Sequence, residues 1–423
     1  MAEKLELGGP FCFHGVMKSR SSLGQILSLT VLVASLGYFV DMFDLLLFPI
    51  LRQPSLQALG IVGDAQVEVY RNLLNAQMIG MLLGGIFWGM LGDKRGRLST
   101  LFGSIALYSV ANIANAFVHT THAYMAWRLL AGFGLAGELG AAVTLVSEIL
   151  PKDLRGYGTT IVAAVGIFGT VAATLVGKYF TWRVGYLVGG GLGLLLLGLR
   201  IGIRESGMFK NLSGSPVRRG DFLSLFTRAD RLGRYVRCIL IGLPTWFVVG
   251  ILINLAPEFA PKLGIAGKLQ AGTAVAFCYT GITLGSLGSG VLSQIWGTRK
   301  KVVGLFILAT LVGVAAYLTL RGLSPAAFYL LALYLGLATG YWAVFVTIAA
   351  EQFGTNLRST VATTVPNFVR GAVPLITSSF VALKASMGFV GSAAVVGAVC
   401  FALALVSLVG LQETHGRDLD FLE

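Results

Sequence analysis

The chain has 423 residues, of which 55% are hydrophobic and only 12% are charged, and its mean hydropathy is +0.79. A soluble protein of this length could not hide so much apolar surface from water, so the composition excludes an ordinary soluble protein and indicates a chain embedded in lipid. Membrane topology and attraction to anionic lipid head groups explain the net charge of +13, and we expect no nucleic-acid partner.

Apolar stretches of about 20 residues, long enough to cross the hydrocarbon core as helices, recur along the chain after residue 24. They predict an all-α membrane protein with twelve transmembrane helices in two six-helix bundles, 25–203 and 235–410, joined by a cytoplasmic linker at 204–234. The predicted spans of the first bundle are 25–51, 70–91, 98–118, 122–150, 157–180 and 184–203. Those of the second are 235–256, 270–296, 301–321, 325–352, 359–384 and 388–410.

Basic residues cluster after spans two, four and eight and in the linker, and the positive-inside rule places these loops in the cytoplasm. Because the number of spans is even, the predicted tails at 1–24 and 411–423 are both cytoplasmic. Residues 1–24 hold no apolar core or cleavage site, so they do not read as a signal peptide. The four cysteines are widely spaced and predict neither a disulfide framework nor a metal site. We expect a monomer in a bacterial inner membrane.

The two halves of the chain are copies of each other. Gly80-x-x-x-Gly84 and the residues that follow it recur, with one constant offset, from Gly281-x-x-x-Gly285 onward. Spans two and four therefore correspond to spans eight and ten, which indicates a parallel duplication of six helices. The GxxxG spacing predicts close helix contacts, not phosphate binding.

The loop after span two reads GMLGDKRGR at 89–97, and the second half carries a degraded copy, GVLSQIWGTRK, at 290–300. This loop resembles the signature loop of the major facilitator superfamily. The resemblance implies two bundles related by a parallel pseudo-twofold axis. It also implies that Asp93, Arg95 and Arg97 form a charge network that closes the two halves together at the cytoplasmic end. The alternative is that these charges only set the topology.

Two further segments are similar to the sugar, organic-ion and phosphate porter branches of that superfamily. They are RLLAGFGLAGELGAAVTLVSEILPKDLRG at 128–156 and QETHGRDLDF at 412–421. We expect Glu148 and Glu351, at the cytoplasmic ends of their spans, to belong to gating networks with Arg155 and Arg358. The resemblance predicts the fold in detail and the substrate only broadly.

Asp41 and Asp44 lie three residues apart in the outer half of predicted span one, on nearly the same helix face. Their spacing resembles the paired aspartates of aromatic-acid:proton and phosphate:proton symporters. Two carboxyl groups so close together in a medium of low dielectric constant do not both ionise easily, which suits a proton carrier. The alternative is that one aspartate lies at the extracellular rim or pairs with an arginine for structural reasons.

Glu138 lies midway along predicted span four, and Arg128 lies two to three turns nearer the periplasm. In phosphate porters an acidic residue occupies the position of Glu138. Glu138 is either a protonated relay or the partner of a buried arginine. Arg128 has a role either in proton coupling or in an ion pair that packs helices.

Arg370 lies near the middle of predicted span eleven with no acidic neighbour in its own helix. A guanidinium group in a cavity suits a carboxylate, which it binds through two parallel hydrogen bonds. The position resembles that of the arginine with which organic-anion transporters bind their substrates. The alternative is an interhelical salt bridge to Asp41, Asp44 or Glu138. Further amide and aromatic residues complete the predicted pocket: Asn75, Gln77, Trp246, Asn254, Tyr279, Tyr341, Trp342 and Asn367.

We therefore expect a secondary transporter that takes up a small organic anion, a carboxylate or an aromatic acid, together with protons. No cofactor other than the coupling proton and no enzymatic activity are expected. The alternatives are proton-coupled efflux of an amphipathic compound, phosphate or sugar symport, and a membrane receptor without transport activity. Gly250 stands where phosphate porters carry an acidic residue, and spans seven and eight hold few of the amides that a sugar site needs.

Overall fold

A computed structural model describes residues 24–62, 65–201, 206–211, 218–265, 267 and 269–423. The predicted tail at 1–24, apart from its last residue, lies outside the described residues, as do 204, 205 and 212–217 of the predicted linker. Within this described part the structure is helical, as predicted. Ten of its helices are long and apolar enough to cross a membrane.

Two further spans bring the total to the predicted twelve. The first is the more polar helix Arg97–Asn115. The other lies within 358–410, where Gly388 has φ 69° and ψ 179° and separates α11 (358–387) from α12 (389–410). The first half contains α1 (Leu29–Ala58), α2 (Ala65–Arg95), α3 (Arg97–Asn115), α4 (Thr121–Ile149), α5 (Lys152–Tyr179) and α6 (Trp182–Leu199). The second half opens with α7 (Ala229–Ile253), α8 (Ala271–Ile295), α9 (Lys300–Thr319) and α10 (Pro325–Glu351).

The observed bounds differ from the prediction at α1 and α7. α1 continues to Ala58 through Pro49 and Pro54, so Asp41 and Asp44 lie near its middle and not in its outer half as predicted. α7 begins at Ala229, inside the predicted linker, because an amphipathic turn precedes the apolar run. Each aspartate is thus deeper in the bundle than the sequence indicated.

α4 and α10 are each interrupted near the middle of the bundle, and each of these two interruptions is supported by a side chain from another helix. α4 breaks between Leu135 and Glu138, and Asn367 Nδ2 donates to the Ala136 carbonyl at 2.9 Å. The corresponding α10 breaks at Gly340, whose carbonyl accepts from Ser289 Oγ at 2.9 Å. A carbonyl freed from its helix is costly in lipid unless it is paired, so these bonds stabilise the breaks.

The repeated GxxxG segments make the predicted close helix contacts. Gly84 of α2 lies against the backbone of α4 at Phe133, and Gly285 of α8 lies against the backbone of α10 at Leu337. In each case a Cβ atom would overlap a carbonyl oxygen, so only glycine allows this approach.

We expect Gly285→Ala to lower the stability of the folded protein by about 1–3 kcal/mol, because the added methyl group overlaps the Leu337 carbonyl. Gly288 lies one turn further along the same helix and faces open space. The matched variant Gly288→Ala should be neutral or stabilising by up to about 1 kcal/mol, since alanine favours helix. Thermal unfolding of the purified variants in detergent measures both changes. Equal melting temperatures would contradict the packing described.

The loops α2–α3, α4–α5, α8–α9 and α10–α11 all lie at one end of the bundle, together with the C-terminal residues 411–423. We call this the charged end, because its loops carry the basic residues on which the predicted topology depends. Helices α2 and α5 of the first half meet α11 and α8 of the second half here. The two halves are thus joined at the charged end.

Candidate functional site

A small cavity of about 20 Å³ lies between the two halves near the middle of the bundle. The first half contributes Tyr38 and Met42 from α1 and Ile167 from α5. The second half contributes most of the wall and the one basic residue of the lining: Thr245, Trp246, Val249, Tyr279, Ile282, Trp342 and Arg370. The cavity is therefore largely apolar and aromatic, with a cation on one side.

Arg370 is only 2% exposed. Among the described residues its hydrogen-bonding partners are all neutral and the bonds are long. They are Tyr38 Oη at 3.4 Å, Asn367 Oδ1 at 3.5 Å and Met42 Sδ at 3.7 Å. Its Nε has no partner in that part of the chain. A buried guanidinium held by so few weak bonds is far from satisfied, so it can accept an anionic ligand.

Two tryptophan rings flank this guanidinium group. The ring centres of Trp246 and Trp342 lie 6.0 and 5.8 Å from Arg370 Cζ, and the two rings contact each other edge to face at 6.2 Å. Trp342 Nε1 donates to Tyr38 Oη at 3.2 Å, which links the aromatic wall to α1 of the other half. Rings beside a cation form a surface suited to a flat aromatic anion.

The interrupted helices place these groups at the cavity. Trp342 begins the segment that follows the α10 break, and Trp246 lies in the short helix Leu243–Phe247, before the π-helical turn Val248–Ile253. Arg370 lies in the last turn of Arg358–Gly371, the first part of α11, which is interrupted for one residue at Ala372. A cation is favourable at a helix C-terminus, where unpaired carbonyls carry partial negative charge.

Asp41 is fully buried one turn beyond Tyr38, and neither carboxyl oxygen has a hydrogen-bond partner among the described residues. It interacts electrostatically with Arg370 and with Glu138. Asp44 is also buried, lies beside Asn112 and interacts electrostatically with Arg128. The structure therefore brings Asp41 towards the cavity and Asp44 towards a separate polar region of the first half.

In that region Arg128 donates to Gln77 Oε1 and lies over the Phe48 ring, 4.6 Å from its centre. Its Nε and Nη1 have no partner in the described part of the chain. Arg128 and Gln77 are thus grouped with Asp44, outside the cavity lining.

Glu138 forms a buried ion pair with Arg200, the residue that follows α6. Arg200 Nη2 and Nη1 lie 2.6 and 3.0 Å from its two carboxylate oxygens, and Ser104 Oγ donates to it at 2.8 Å. Sequence reasoning did not include Arg200 among the intramembrane charges, because it stands next to the basic linker. A guanidinium at the end of the apolar run GGLGLLLLGLR was the signal that could have identified it.

The remaining predicted pocket residues fall into two groups. Trp246, Tyr279 and Trp342 line the cavity, and Asn367 Oδ1 accepts the long hydrogen bond from Arg370. The second group does not line the cavity. Tyr341 is buried and donates to the Ile241 carbonyl at 2.9 Å. Asn75 is half-buried and Asn254 is exposed. Sequence reasoning missed Tyr38 and Met42, although Tyr38 lies on the same α1 stripe as Asp41 and Asp44.

Asp93 contacts the other half of the chain at the charged end. Its carboxylate accepts from the backbone N–H of Ser359 at 3.0 Å and of Thr360 at 2.8 Å, and from Thr360 Oγ1 at 2.7 Å. These donors lie at the start of α11 in the other half, where a carboxylate is favourable at a helix N-terminus. Arg97 lies 3.4 Å from Asp93 and anchors it to the first half.

Glu148 extends this network across the two halves. It accepts from Arg97 at 2.7 Å and from Arg358 of the second half at 2.9 Å. In the second half Arg299 and Glu351 form the corresponding pair at 3.2 Å. Arg155 donates to backbone carbonyls of Ser147 and Arg417 at 2.9 and 3.2 Å. Arg95 is exposed.

Gln294 is the counterpart of Asp93 in the repeat. The amide orientation that satisfies its neighbours lets Oε1 accept from the backbone N–H groups of Gly156 at 2.8 Å and Tyr157 at 3.2 Å. The neutral side chain therefore makes the same kind of contact with α5 that Asp93 makes with α11. The contact between the halves is symmetric in geometry and asymmetric in charge.

The C-terminal segment 411–423 packs across the charged end. Glu413 accepts from the backbone N–H of Arg299 at 2.9 Å and of Lys300 at 3.2 Å, at the start of α9, and also from Thr298 Oγ1. Burial raises the pKa of the Glu413 carboxyl, but these hydrogen bonds outweigh burial and lower its pKa to about 2. The carboxylate is therefore ionised at physiological pH and holds the tail in place.

The chain matches the family model described as Major Facilitator Superfamily over residues 27–378. It is 28% identical over 375 residues to the 3-(3-hydroxy-phenyl)propionate transporter of Escherichia coli (strain K12), with 84% of this chain and 90% of that protein covered. It is 26% identical over 354 residues to the gentisate transporter of Corynebacterium glutamicum, with 79% and 78% covered. Its fold is similar to that of the proton:xylose symporter XylE, with a TM-score of 0.73 at 16% identity, covering 94% of this chain and 98% of that one.

Proposed function

We propose that this chain, which belongs to the major facilitator superfamily, takes up a small aromatic or other organic carboxylate by alternating access together with protons. Membership of the family makes the chain an integral multi-pass membrane protein and a transporter, not an enzyme. The anionic substrate and the proton coupling are the parts that we propose.

The observation that carries the proposal is the state of Arg370. It is buried between two tryptophan rings in a cavity shared by both halves, and its described hydrogen bonds are long and neutral. A carboxylate would supply the missing charge and two hydrogen bonds in parallel. Phosphate and sugars fit less well, because the rest of the lining is apolar and aromatic.

The names of the relatives support an aromatic acid. Two proteins that match most of this chain are named for transport of 3-(3-hydroxy-phenyl)propionate and of gentisate. The Trp246 and Trp342 rings offer the flat surface that such a substrate would need.

Asp41 is the proton carrier that the geometry favours. Its buried carboxyl group has no described hydrogen-bond partner and interacts electrostatically with Arg370. Glu138, in contrast, forms an ion pair with Arg200. A charged carboxylate without partners is expensive at this depth, so protonation when the anion binds would lower the cost of closing the cavity. We assign Asp44 and Arg128 to the same path for protons.

The cycle follows from the closed charged end, which we place in the cytoplasm. The site loads from the opposite side while Asp93 and Glu148 hold the halves together here. With the anion on Arg370 and the proton on Asp41, the halves rock, the charged end opens and both ligands leave.

A substrate screen tests the proposed class. Radiolabelled 3-hydroxyphenylpropionate, gentisate, acetate, phosphate and xylose are offered to proteoliposomes with and without an inward pH gradient. We expect saturable uptake of the aromatic acids, increased by the gradient. Efflux of an amphipathic compound is the alternative that the same vesicles test with reversed loading. Phosphate or xylose as the best substrate would contradict the proposal, and tight binding without accumulation would indicate a receptor.

The tryptophan wall should set the preference for rings. We expect Trp246→Leu to reduce uptake of an aromatic acid by about five-fold or more relative to a short aliphatic acid. The reason is that contact between two aromatic rings contributes about 1 kcal/mol in addition to the burial of apolar surface area. Trp296→Leu is the matched control, since Trp296 lies half exposed at the end of α8 far from the cavity. Competition assays against one labelled substrate give the ratio. An unchanged ratio in Trp246→Leu would show that the ring does not contact the substrate.

A further inference from the structure

A groove of about 500 Å³ lies at the charged end, separate from the central cavity. One wall is the last part of α2, with Ile86, Met90 and Lys94. The other wall is the segment 218–223, which precedes α7. Because α2 crosses the membrane and ends at Arg95, the groove lies at the boundary between lipid and water.

The groove carries a net positive charge and has apolar side chains beside it. Lys94, Arg218 and Arg219 supply three positive charges, and the Asp221 carboxylate already accepts from the Ser224 backbone N–H at 3.3 Å. Nearby apolar side chains face outward: Leu223 is 72% exposed and Phe226 is 49% exposed. A surface that is basic at the water side and apolar at the lipid side complements an amphipathic anion.

We propose that this groove binds the head group of an anionic phospholipid. Lys94, Arg218 and Arg219 contact the phosphate, and the exposed side chains of 223–226 lie along the acyl chains. Free inorganic phosphate would use the cations but not the apolar wall. The apolar wall at the membrane boundary is therefore the feature that selects a lipid.

The bound lipid would stabilise the closed charged end, because the groove bridges the two halves. Gly220, in the left-handed region at φ 59°, lies against the Met90 carbonyl of α2. Its backbone N–H donates to the Asn356 carbonyl at 2.9 Å, and Asn356 Nδ2 donates to the Arg218 carbonyl at 3.3 Å. One wall thus belongs to the first half, and the other is tied to the residues just before α11.

The test is lipid binding to the full chain in detergent, measured by native mass spectrometry and by thermal shift. Phosphatidylglycerol is compared with phosphatidylcholine and with inorganic phosphate. We expect wild type to retain phosphatidylglycerol, and Arg218→Gln/Arg219→Gln to bind it about 25-fold more weakly, since each of the two basic residues near an anionic head group contributes about five-fold. The control Arg228→Gln/Lys301→Gln removes two exposed charges from the same end outside the groove.

The variant Leu223→Ser distinguishes binding of a lipid from binding of a free anion. It should weaken phosphatidylglycerol binding while leaving any effect of inorganic phosphate unchanged. Equal loss in the control double variant would show that the effect is general electrostatics and would overturn the proposal. Stabilisation by inorganic phosphate alone to the same extent, or equal retention of phosphatidylcholine, would also overturn it.

Discussion

Arg370→Gln is expected to abolish binding of the aromatic acid while leaving the melting temperature unchanged or raised. The substrate carboxylate loses two charge-assisted hydrogen bonds, which corresponds to a rise in Kd on the order of a hundred-fold or more. The folded protein loses an unsatisfied buried cation, and removal of such a group does not destabilise. Scintillation proximity binding and thermal unfolding of the same preparation measure both effects.

The direction of the stability change separates the two interpretations of Arg370. If Arg370 served a structural salt bridge, glutamine would leave a buried carboxylate unpaired and cost about 3–5 kcal/mol. A sharp fall in melting temperature with binding retained would therefore contradict the substrate role. Arg321→Gln, which removes an exposed arginine near the opposite end, serves as the control. Arg370→Lys should recover part of the affinity, because lysine keeps the charge and loses the planar pair of donors.

Asp41→Asn is expected to keep the exchange of substrate across the membrane and to lose substrate accumulation driven by a pH gradient. Asparagine imitates the protonated carboxyl group, so the halves can still close around bound substrate and counterflow should persist within about three-fold. Accumulation driven by a pH gradient should be lost, because no proton can bind or leave at this position. Counterflow and gradient-driven uptake in the same proteoliposomes provide the two rates.

Two further variants test the assignment. Asp153→Asn changes an exposed acid at the charged end and should leave both rates unchanged. Asp44→Asn should also lower gradient-driven accumulation, because we assign Asp44 to the same path for protons. Gradient-driven accumulation that survives in Asp41→Asn would remove Asp41 as the proton carrier.

The sequence predicted the features that depend on local pattern. Twelve apolar segments, the duplicated GxxxG contacts and the charged loop around Asp93 can be identified from composition and spacing alone. Asp93 was placed at the contact between the halves, but its partners are backbone N–H groups of Ser359 and Thr360. No pattern of side chains in the sequence predicts that these backbone N–H groups are the donors, because every helix begins with free N–H groups.

Pairing between distant helices could not be predicted. Glu138 had several possible arginine partners, and only the packing of α4, α3 and α6 brings Arg200 to it. The breaks at 136–137 and 340–341 could not be predicted either, because glycine and alanine occur throughout these spans and do not mark one position. They matter for the site, since Glu138 and Trp342 begin the segments that follow the breaks.

The central claim is that the anion and the proton move together through the cavity at Arg370. Proteoliposomes that contain a pH-sensitive dye test it directly when a fully ionised aromatic carboxylate is added outside, with protein-free vesicles to correct for passive entry. The proposal predicts acidification of the interior that follows labelled substrate uptake in wild type and disappears in Arg370→Gln. Substrate uptake without any proton movement would contradict it.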